Sequence, residues 1–188
     1  MKKITIIFLL ICGFTYSQSL TVQNGASLTI EKTGTATVGG NFSNSGTVTM
    51  NSDGDEFSAI KVSGSTSGNV TYNRFVNIAD TDEWDLIGSP VDGLSISSFV
   101  STNTTGTATL ATNGSAYAVG YYDNSTDTWT NYTTATVGGA SNFDIGKGYQ
   151  MGTVSGGTQI LAFTGTISSS DETQSVINNN AANSGSGR

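Results

Sequence analysis

Acidic side chains form two clusters whose chemistry suits a metal ion. Asp53, Asp55 and Glu56 place carboxylates close together in a short polar segment, and Asp80 and Asp82 form a second group beside a tryptophan. Carboxylate oxygens are the ligands that calcium prefers, and extracellular calcium is abundant enough to fill weak sites. The first cluster lacks the glycine position and distal glutamate of an EF-hand loop. The clusters predict either weak calcium sites or solvated acidic turns, the simpler interpretation, and no other cofactor is expected.

Aromatic side chains are the second group that could bind a ligand. Four of them lie in predicted strands or near loops: Trp84, Tyr122, Trp129 and Tyr132. Exposed indole and phenol rings stack on the apolar faces of sugars, and their polar atoms hydrogen-bond to hydroxyl groups. Strand alternation puts Tyr121 and Tyr122 on opposite faces, so that Tyr122 is a candidate for exposure. The alternative is that a sandwich so poor in large aliphatic residues uses Trp84 and Trp129 as core.

Catalytic chemistry is sparse in this chain. Its 188 residues include no histidine, which excludes Ser-His-Asp and Cys-His nucleophiles, histidine-ligated zinc and histidine pH switches. Paired carboxylates alone can hydrolyse glycosides, but no acid lies in a recognisable catalytic motif, so a glycoside hydrolase is a remote alternative. The net charge of −7 argues against nucleic acid as a partner, because phosphate binding needs clustered Lys and Arg. We expect a protein that is not an enzyme.

Residues 1–17 have the features of a signal peptide. Lys2 and Lys3 precede an apolar run over residues 4–14, which is too short to span a bilayer, and small residues lead to a cut before Gln18. Acylation at Cys12 is an alternative that the bulky Ile11 disfavours. Cleavage leaves 5 basic and 14 acidic residues, a net charge of −9 and no cysteine. The sequence predicts a secreted or outer-surface protein that is not an integral membrane protein.

The segment 18–76 carries a strand repeat. Residues 19–22, 27–30 and 35–38 are versions of one four-residue unit spaced by eight, and residues 47–50 form a fourth after a longer gap. Apolar and hydroxyl residues alternate within each unit, as in a strand with one buried face. A meander of hairpins is the plain interpretation. A β-solenoid, whose successive coils bury each other's faces, is the one that the copies favour.

The segment 77–167 holds most of the large apolar residues and predicts an antiparallel β-sandwich. Residues 116–122 and 128–134 are expected to form a hairpin around the loop 123–127. A single helical turn is predicted over residues 94–100, with Asp92 as its N-cap and Leu94, Ile96 and Phe99 packed inward. Residues 168–188 are rich in Ser, Asn and Gly and predict a flexible linker or tail. The expected fold class is all-β.

The order of these features resembles repeat-bearing secreted or cell-surface proteins of Bacteroidota, many of them cargo of type IX secretion. The resemblance is carried by residues 38–47, 69–76, 84–91, 121–123 with Trp129, 146–149 and 163–166, together with the signal peptide. Such proteins usually continue past a polar spacer into a further module and a sorting domain. This sequence ends at Arg188, so the resemblance implies a fragment or truncated member and leaves surface anchoring open.

Two functions follow as expectations. The first is a non-enzymatic, exported β-rich module with an adhesive or structural role, which the signal peptide, the strand repeats and the lack of catalytic motifs support. The second is a carbohydrate-binding module that uses exposed Trp and Tyr rings. The expected partners are extracellular glycans or other cell-surface components.

Overall fold

The computed structural model describes residues 19–80, 83–105 and 109–174. The predicted signal peptide and most of the predicted tail lie outside these residues. Three coils make up the first part of the chain. The first contains β1 (Leu20–Val22), β2 (Ser27–Ile30) and β3 (Thr35–Val38); the second contains β4 (Phe42–Asn44), β5 (Thr47–Asn51) and β6 (Ala59–Val62); the third contains β7 (Thr66–Ser67) and β8 (Val70–Phe75).

Strands of successive coils pair in parallel, which identifies this part as a β-solenoid. One ladder runs β1-β4-β7, a second contains β2, β5 and β8, and a third joins β3 to β6. In register, Leu28 lies beside Val48 and Val38 beside Val62. A hairpin meander would pair consecutive strands antiparallel, so that interpretation is wrong. The longer gap in the repeat contains β4, a strand that the four-residue pattern did not reveal.

The alternation within each unit places its apolar residues inside the coils. Val22, Ile30, Val38 and Val62, the last residue of each strand, are buried, while most hydroxyl residues between the apolar positions remain more accessible. Phe42 is only 1% exposed and fills the interior of the second coil. Each coil therefore buries a row of apolar side chains that an isolated coil would expose to water.

The remaining strands are antiparallel. They are β9 (Asp85–Gly88), β10 (Thr112–Asn113), β11 (Ala116–Asp123), β12 (Thr128–Thr133), β13 (Gly148–Met151) and β14 (Ile160–Gly165). The main sheet has the order β9-β13-β11-β12, with β10 beside the start of β11. The predicted hairpin corresponds to β11 and β12. These strands and the solenoid confirm the all-β fold class.

Strand β14 returns to the solenoid and pairs antiparallel with β8. The segment 77–167 thus contributes a strand to a sheet of the segment 18–76. Buried residues of both segments belong to one continuous core. An aromatic cluster connects β13 to β14, since Tyr149 contacts Phe143 at 4.8 Å between ring centroids, and Phe99 contacts both Phe143 at 5.2 Å and Phe163 at 4.7 Å.

The helix α1 (Ile96–Asn103) packs against β14. Its N-cap is Ser95, whose hydroxyl accepts a hydrogen bond from the Ser98 amide at 3.1 Å, so the prediction of Asp92 as N-cap is wrong. The Asp92 backbone instead pairs with Thr166. Leu94, Ile96 and Phe99 are buried as predicted. Within the described part of the chain, no helix has the length and apolar character needed to cross a bilayer.

Asn103 joins the end of α1 to β14. Its side-chain amide donates to the carbonyl oxygens of Phe99 and Ala162, both at 2.9 Å, and its Oδ1 accepts from the Ala162 amide at 2.8 Å. The residue is 3% exposed. Because buried polar groups are costly when unpaired, the two hydrogen bonds to Ala162 fix the helix on the strand, and the third satisfies the carbonyl of Phe99 within the helix.

Candidate functional site

One face of the antiparallel sheet points away from the core. Residues directly opposite each other in adjacent strands project to the same face, and the register places Leu86 beside Gln150, Gln150 beside Gly120, and Gly120 beside Asn131. Two residues further along, Tyr122 lies beside Trp129. Trp84 lies just before β9, two positions from Leu86, and strand alternation therefore places it on the same face. We call the surface formed by Trp84, Leu86, Gln150, Gly120, Asn131, Tyr122 and Trp129 the open face.

The open face concentrates the exposed apolar side chains of the molecule. Among the described residues, six large apolar side chains are exposed: Phe57, Trp84, Leu86, Tyr122, Trp129 and Val154. Four of them belong to the open face, with exposed fractions of 38% for Trp84, 66% for Leu86, 38% for Tyr122 and 45% for Trp129. The interpretation of Trp84 and Trp129 as core is therefore wrong. This concentration of exposed apolar groups makes the open face the first candidate for a binding surface.

Tyr122 and Trp129 form a fixed aromatic pair at one corner of the open face. Their ring centroids are 5.3 Å apart at an interplanar angle of 64°. The Tyr122 hydroxyl donates to the carboxylate of Asp127, a contact that raises the pKa of Tyr122. Asp123 Oδ1 accepts from the Ser125 amide at 2.9 Å and closes the hairpin loop. The loop therefore positions the Tyr122 ring, against which Trp129 packs.

Trp84 borders a pocket at the opposite corner. The pocket has a volume of about 270 Å³ and is lined by Ala79, Trp84, Ala111, Thr112, Asn113, Ala116, Tyr117, Ala118 and Asn131. The Asn131 side chain covers Gly120, where a methyl group would overlap its Oδ1, and that oxygen accepts a hydrogen bond from Gln150. The pocket and the centre of the open face thus combine aromatic surface with side-chain amides and contain no charged side chain.

Tyr132 lies on the other side of the sheet from Trp129. Its ring contacts Tyr121 at 5.6 Å between centroids. The structure therefore places three of the four predicted sugar-binding residues on the open face and separates the fourth from them. The reason is strand alternation, because Tyr132 and Trp129 differ by an odd number of positions along β12.

Tyr132 lines a second pocket, which we call the tyrosine pocket. It has a volume of about 340 Å³ and is lined by Tyr121, Tyr132, Thr136, Gly139, Ala140, Ser141, Asp144, Lys147 and Tyr149. Lys147 Nζ lies 3.4 Å from Asp144 Oδ2 and 5.5 Å from the ring centroids of both Tyr121 and Tyr149. None of the predicted site residues other than Tyr132 lines this pocket. One signal was present: Lys147 is the only basic residue between positions 77 and 167.

The ionisation of Tyr132 gives a test of this pocket. Burial disfavours the phenolate and raises the pKa of Tyr132 from 10.0 to about 12. Its contribution to stability is therefore complete below pH 10.0, where the unfolded chain also keeps the proton, and is lost as pH rises towards about 12. In a near-ultraviolet absorbance titration, Tyr132→Phe should remove a tyrosine that ionises late. Loss of one that ionises at the ordinary pKa would contradict this assignment.

The acidic cluster around Asp53 is occupied by a lysine. Lys32 Nζ contacts the Asp53 carboxylate and lies 3.4 Å from Glu56 Oε2. Asp53 Oδ1 also accepts from the Asp55 and Glu56 amides, at 3.1 and 2.8 Å. The hydrogen bond from Lys32 is the main cause that lowers the pKa of Asp53. An ammonium group thus stands where the calcium prediction places a metal ion.

The second acidic cluster is only partly described. The Asp80 amide donates to the Ile78 carbonyl at 2.8 Å, and Asp82 lies outside the described residues. Across residues 19–80, 83–105 and 109–174, no group of three or more His, Cys, Asp or Glu side chains is arranged to hold a metal. Calcium binding at either cluster stays a prediction.

Comparison with known proteins adds no family to this description. No protein-family model, curated protein or solved structure matches the chain. The resemblance to Bacteroidota surface proteins thus remains a hypothesis from the sequence. The open face and the tyrosine pocket are the candidate functional features of the described residues.

Proposed function

We propose that this protein is a non-enzymatic, exported module that binds a neutral glycan chain on the open face. The observation that carries the proposal is the exposure of Trp84, Tyr122 and Trp129 on one face of a sheet. Aromatic rings in that position offer flat apolar surface to the C–H groups of a sugar. The Gln150 and Asn131 amides between them supply donors and acceptors for its hydroxyl groups.

Charge favours a neutral glycan over an acidic one. The segment 77–167 contains eight acidic residues and one basic residue, Lys147, which lies in the tyrosine pocket. A uronic acid, a sulfated sugar or a nucleic acid would approach a segment of net negative charge and find no cation on the open face to pair with it. An uncharged polysaccharide carries no such penalty.

The dimensions of the open face favour a chain of several sugars. Trp84 precedes β9 and Trp129 lies on β12, so three inter-strand steps separate them across the sheet. Along the strand direction they lie on opposite sides of the row formed by Leu86, Gln150, Gly120 and Asn131. With strands about 4.8 Å apart and a rise of about 3.3 Å per residue, the diagonal between them is roughly 20 Å. A single sugar ring cannot contact both corners, whereas an extended oligosaccharide can.

Substitution of Trp129 tests the proposal. We expect Trp129→Ala to weaken binding of a neutral polysaccharide about fivefold or more, because the loss of one stacked aromatic ring removes on the order of 1–3 kcal/mol. The measurement is a glycan array followed by affinity electrophoresis with each polysaccharide that binds the wild type.

Phe57→Ala is the matched control, because Phe57 has the same exposed fraction of 45% but lies on the solenoid beneath Arg74. The proposal fails if no neutral glycan binds the wild type, or if Trp129→Ala binds the polysaccharide as tightly as Phe57→Ala does. Release of reducing sugar from any glycan in the panel would contradict the non-enzymatic part of it.

A further inference from the structure

We propose that the tyrosine pocket is a second binding site, which takes a single neutral sugar ring. The inference rests on the proposed carbohydrate-binding function but concerns the other side of the sheet and a different part of a glycan. The pocket volume of about 340 Å³ is at the small end of the range of roughly 300–1,000 Å³ for small-molecule sites. It fits one ring rather than a chain.

The polar groups of the pocket match the hydroxyl groups of a sugar. Lys147 is a donor only, the Asp144 carboxylate is an acceptor only, and a sugar hydroxyl can accept from one while donating to the other. Within the described residues, the Tyr132 hydroxyl makes no hydrogen bond, and like any tyrosine hydroxyl it is protonated at neutral pH and can donate one. The pocket therefore offers both kinds of partner to neighbouring hydroxyls of one ring.

The aromatic walls complete this arrangement. The Tyr121 and Tyr132 rings meet at an interplanar angle of 51°, so they form two sides of a wedge rather than a flat stack. Tyr149, which is 1% exposed, forms the base, and its hydroxyl accepts from the Asp144 amide at 3.0 Å. This hydrogen bond connects Asp144 to the rigid core beneath the pocket. The acceptor of the site is thereby positioned before a ligand arrives.

The charges of the pocket specify an uncharged ligand. Lys147 and Asp144 are 3.4 Å apart and compensate each other, so a carboxylate or phosphate group would gain the lysine but face the aspartate. The ion pair itself contributes little to folding, because the side chains of Lys147 and Asp144 are 41% and 59% exposed. Both charged groups therefore remain accessible to a ligand.

Titration with simple sugars tests this site. The probes are glucose, galactose, mannose and glucuronic acid, followed by amide chemical shifts of the full chain up to tens of millimolar sugar. At least one neutral hexose should shift residues 136–149 of the wild type. Lys147→Met should weaken that binding about tenfold or more, as expected for loss of a hydrogen bond from a charged donor.

Two control variants separate this inference from the function proposed above. Lys61→Met removes a lysine of the solenoid strand β6 and should leave hexose binding unchanged. Trp129→Ala should also leave it unchanged while weakening polysaccharide binding. Unchanged melting temperatures would confirm that the variants remain folded.

Three results would overturn the inference: no neutral hexose shifts the pocket, Lys147→Met binds as tightly as the wild type, or glucuronic acid binds more tightly than every neutral hexose. If polysaccharide binding still depends on Trp129 in those cases, the open-face function stands and the pocket inference alone fails. If no polysaccharide binds the open face while a hexose binds in a Lys147-dependent manner, the reverse holds.

Discussion

Replacing Gly68 with alanine should destabilise the protein by about 4 kcal/mol, the largest effect that we expect from a single methyl group. Gly68 has a φ of +80°, which disfavours any residue with a Cβ. A Cβ at this position would also overlap the carbonyl oxygen of Asn44 in the preceding coil. The third coil would have to move away from the second to make room for it.

Gly25→Ala is the matched control for Gly68→Ala. Gly25 has the same φ of +80° and lies between β1 and β2, but a Cβ there meets no atom within 4 Å. Gly25→Ala should lower the free energy of unfolding by only about 1 kcal/mol, the cost of placing a residue with a Cβ at this positive φ. Urea denaturation followed by circular dichroism measures both, and a Gly68 variant that fails to fold meets the expectation. Equal losses for the two variants would show that close stacking of the coils adds nothing at this corner.

Asn103→Ala should lower the free energy of unfolding by about 3 kcal/mol. The change removes three hydrogen bonds at a site that is 3% exposed and leaves the carbonyl oxygen and the amide of Ala162 without their side-chain partner. The helix α1 and strand β14 lose the connection that Asn103 supplies. Chemical denaturation measures the loss directly.

The neighbouring residue supplies the control for Asn103. Thr104 also donates its hydroxyl to a helix carbonyl, that of Val100 at 2.7 Å, but it is exposed. Water replaces this partner when the hydroxyl is removed, so Thr104→Ala should change stability by no more than about 0.5 kcal/mol. Comparable losses for the two variants would mean that burial of Asn103 is not what makes its hydrogen bonds important.

Local pattern predicted most of the solenoid strands, and the repeat favoured parallel stacking, but neither gave the residue-to-residue pairing. The alternation of Leu28 and Ile30 with hydroxyl residues predicts a strand whichever neighbour it pairs with, since period 2 reports only a buried face. Pairing of Leu28 with Val48 depends on the length of a whole coil. The strand at Phe42–Asn44 has a single large apolar residue and ends in an asparagine, so the repeat pattern did not extend to it.

The candidate sites show the same limit. Alternation predicts the exposure of Tyr122, because Tyr121 and Tyr122 differ by one position and one of them has to face outward. The exposure of Trp84 depends on which side of the sheet the core occupies, and no local pattern contains that information. Lys147 and Tyr132 come together only because β12 and the segment before β13 meet across the inner side of the sheet. The tyrosine pocket is therefore a product of tertiary structure.

The N-cap of α1 was predicted wrongly for the same reason: Asp92 was expected, but Ser95 occupies that position. Both are good N-cap residues, and each precedes an apolar residue by an interval compatible with a helix. The backbone of Asp92 is committed to Thr166, with amide-to-carbonyl distances of 2.8 and 3.0 Å in the two directions. A residue in such a bridge has extended backbone geometry and cannot start the helix, so α1 begins after Ser95. Long-range pairing decided between two residues of similar propensity.

The antiparallel strand β14 also has a consequence for the order of folding. It covers the edge of β8 through contacts such as Gly165 with Val70, which are far apart in sequence. Contacts of this kind raise the contact order and slow folding, because a long loop has to close before the pairing is gained. Until β14 arrives, β8 presents unpaired backbone groups of the kind that recruit strands from other chains. The solenoid therefore depends on β14 to close this edge against association with other chains.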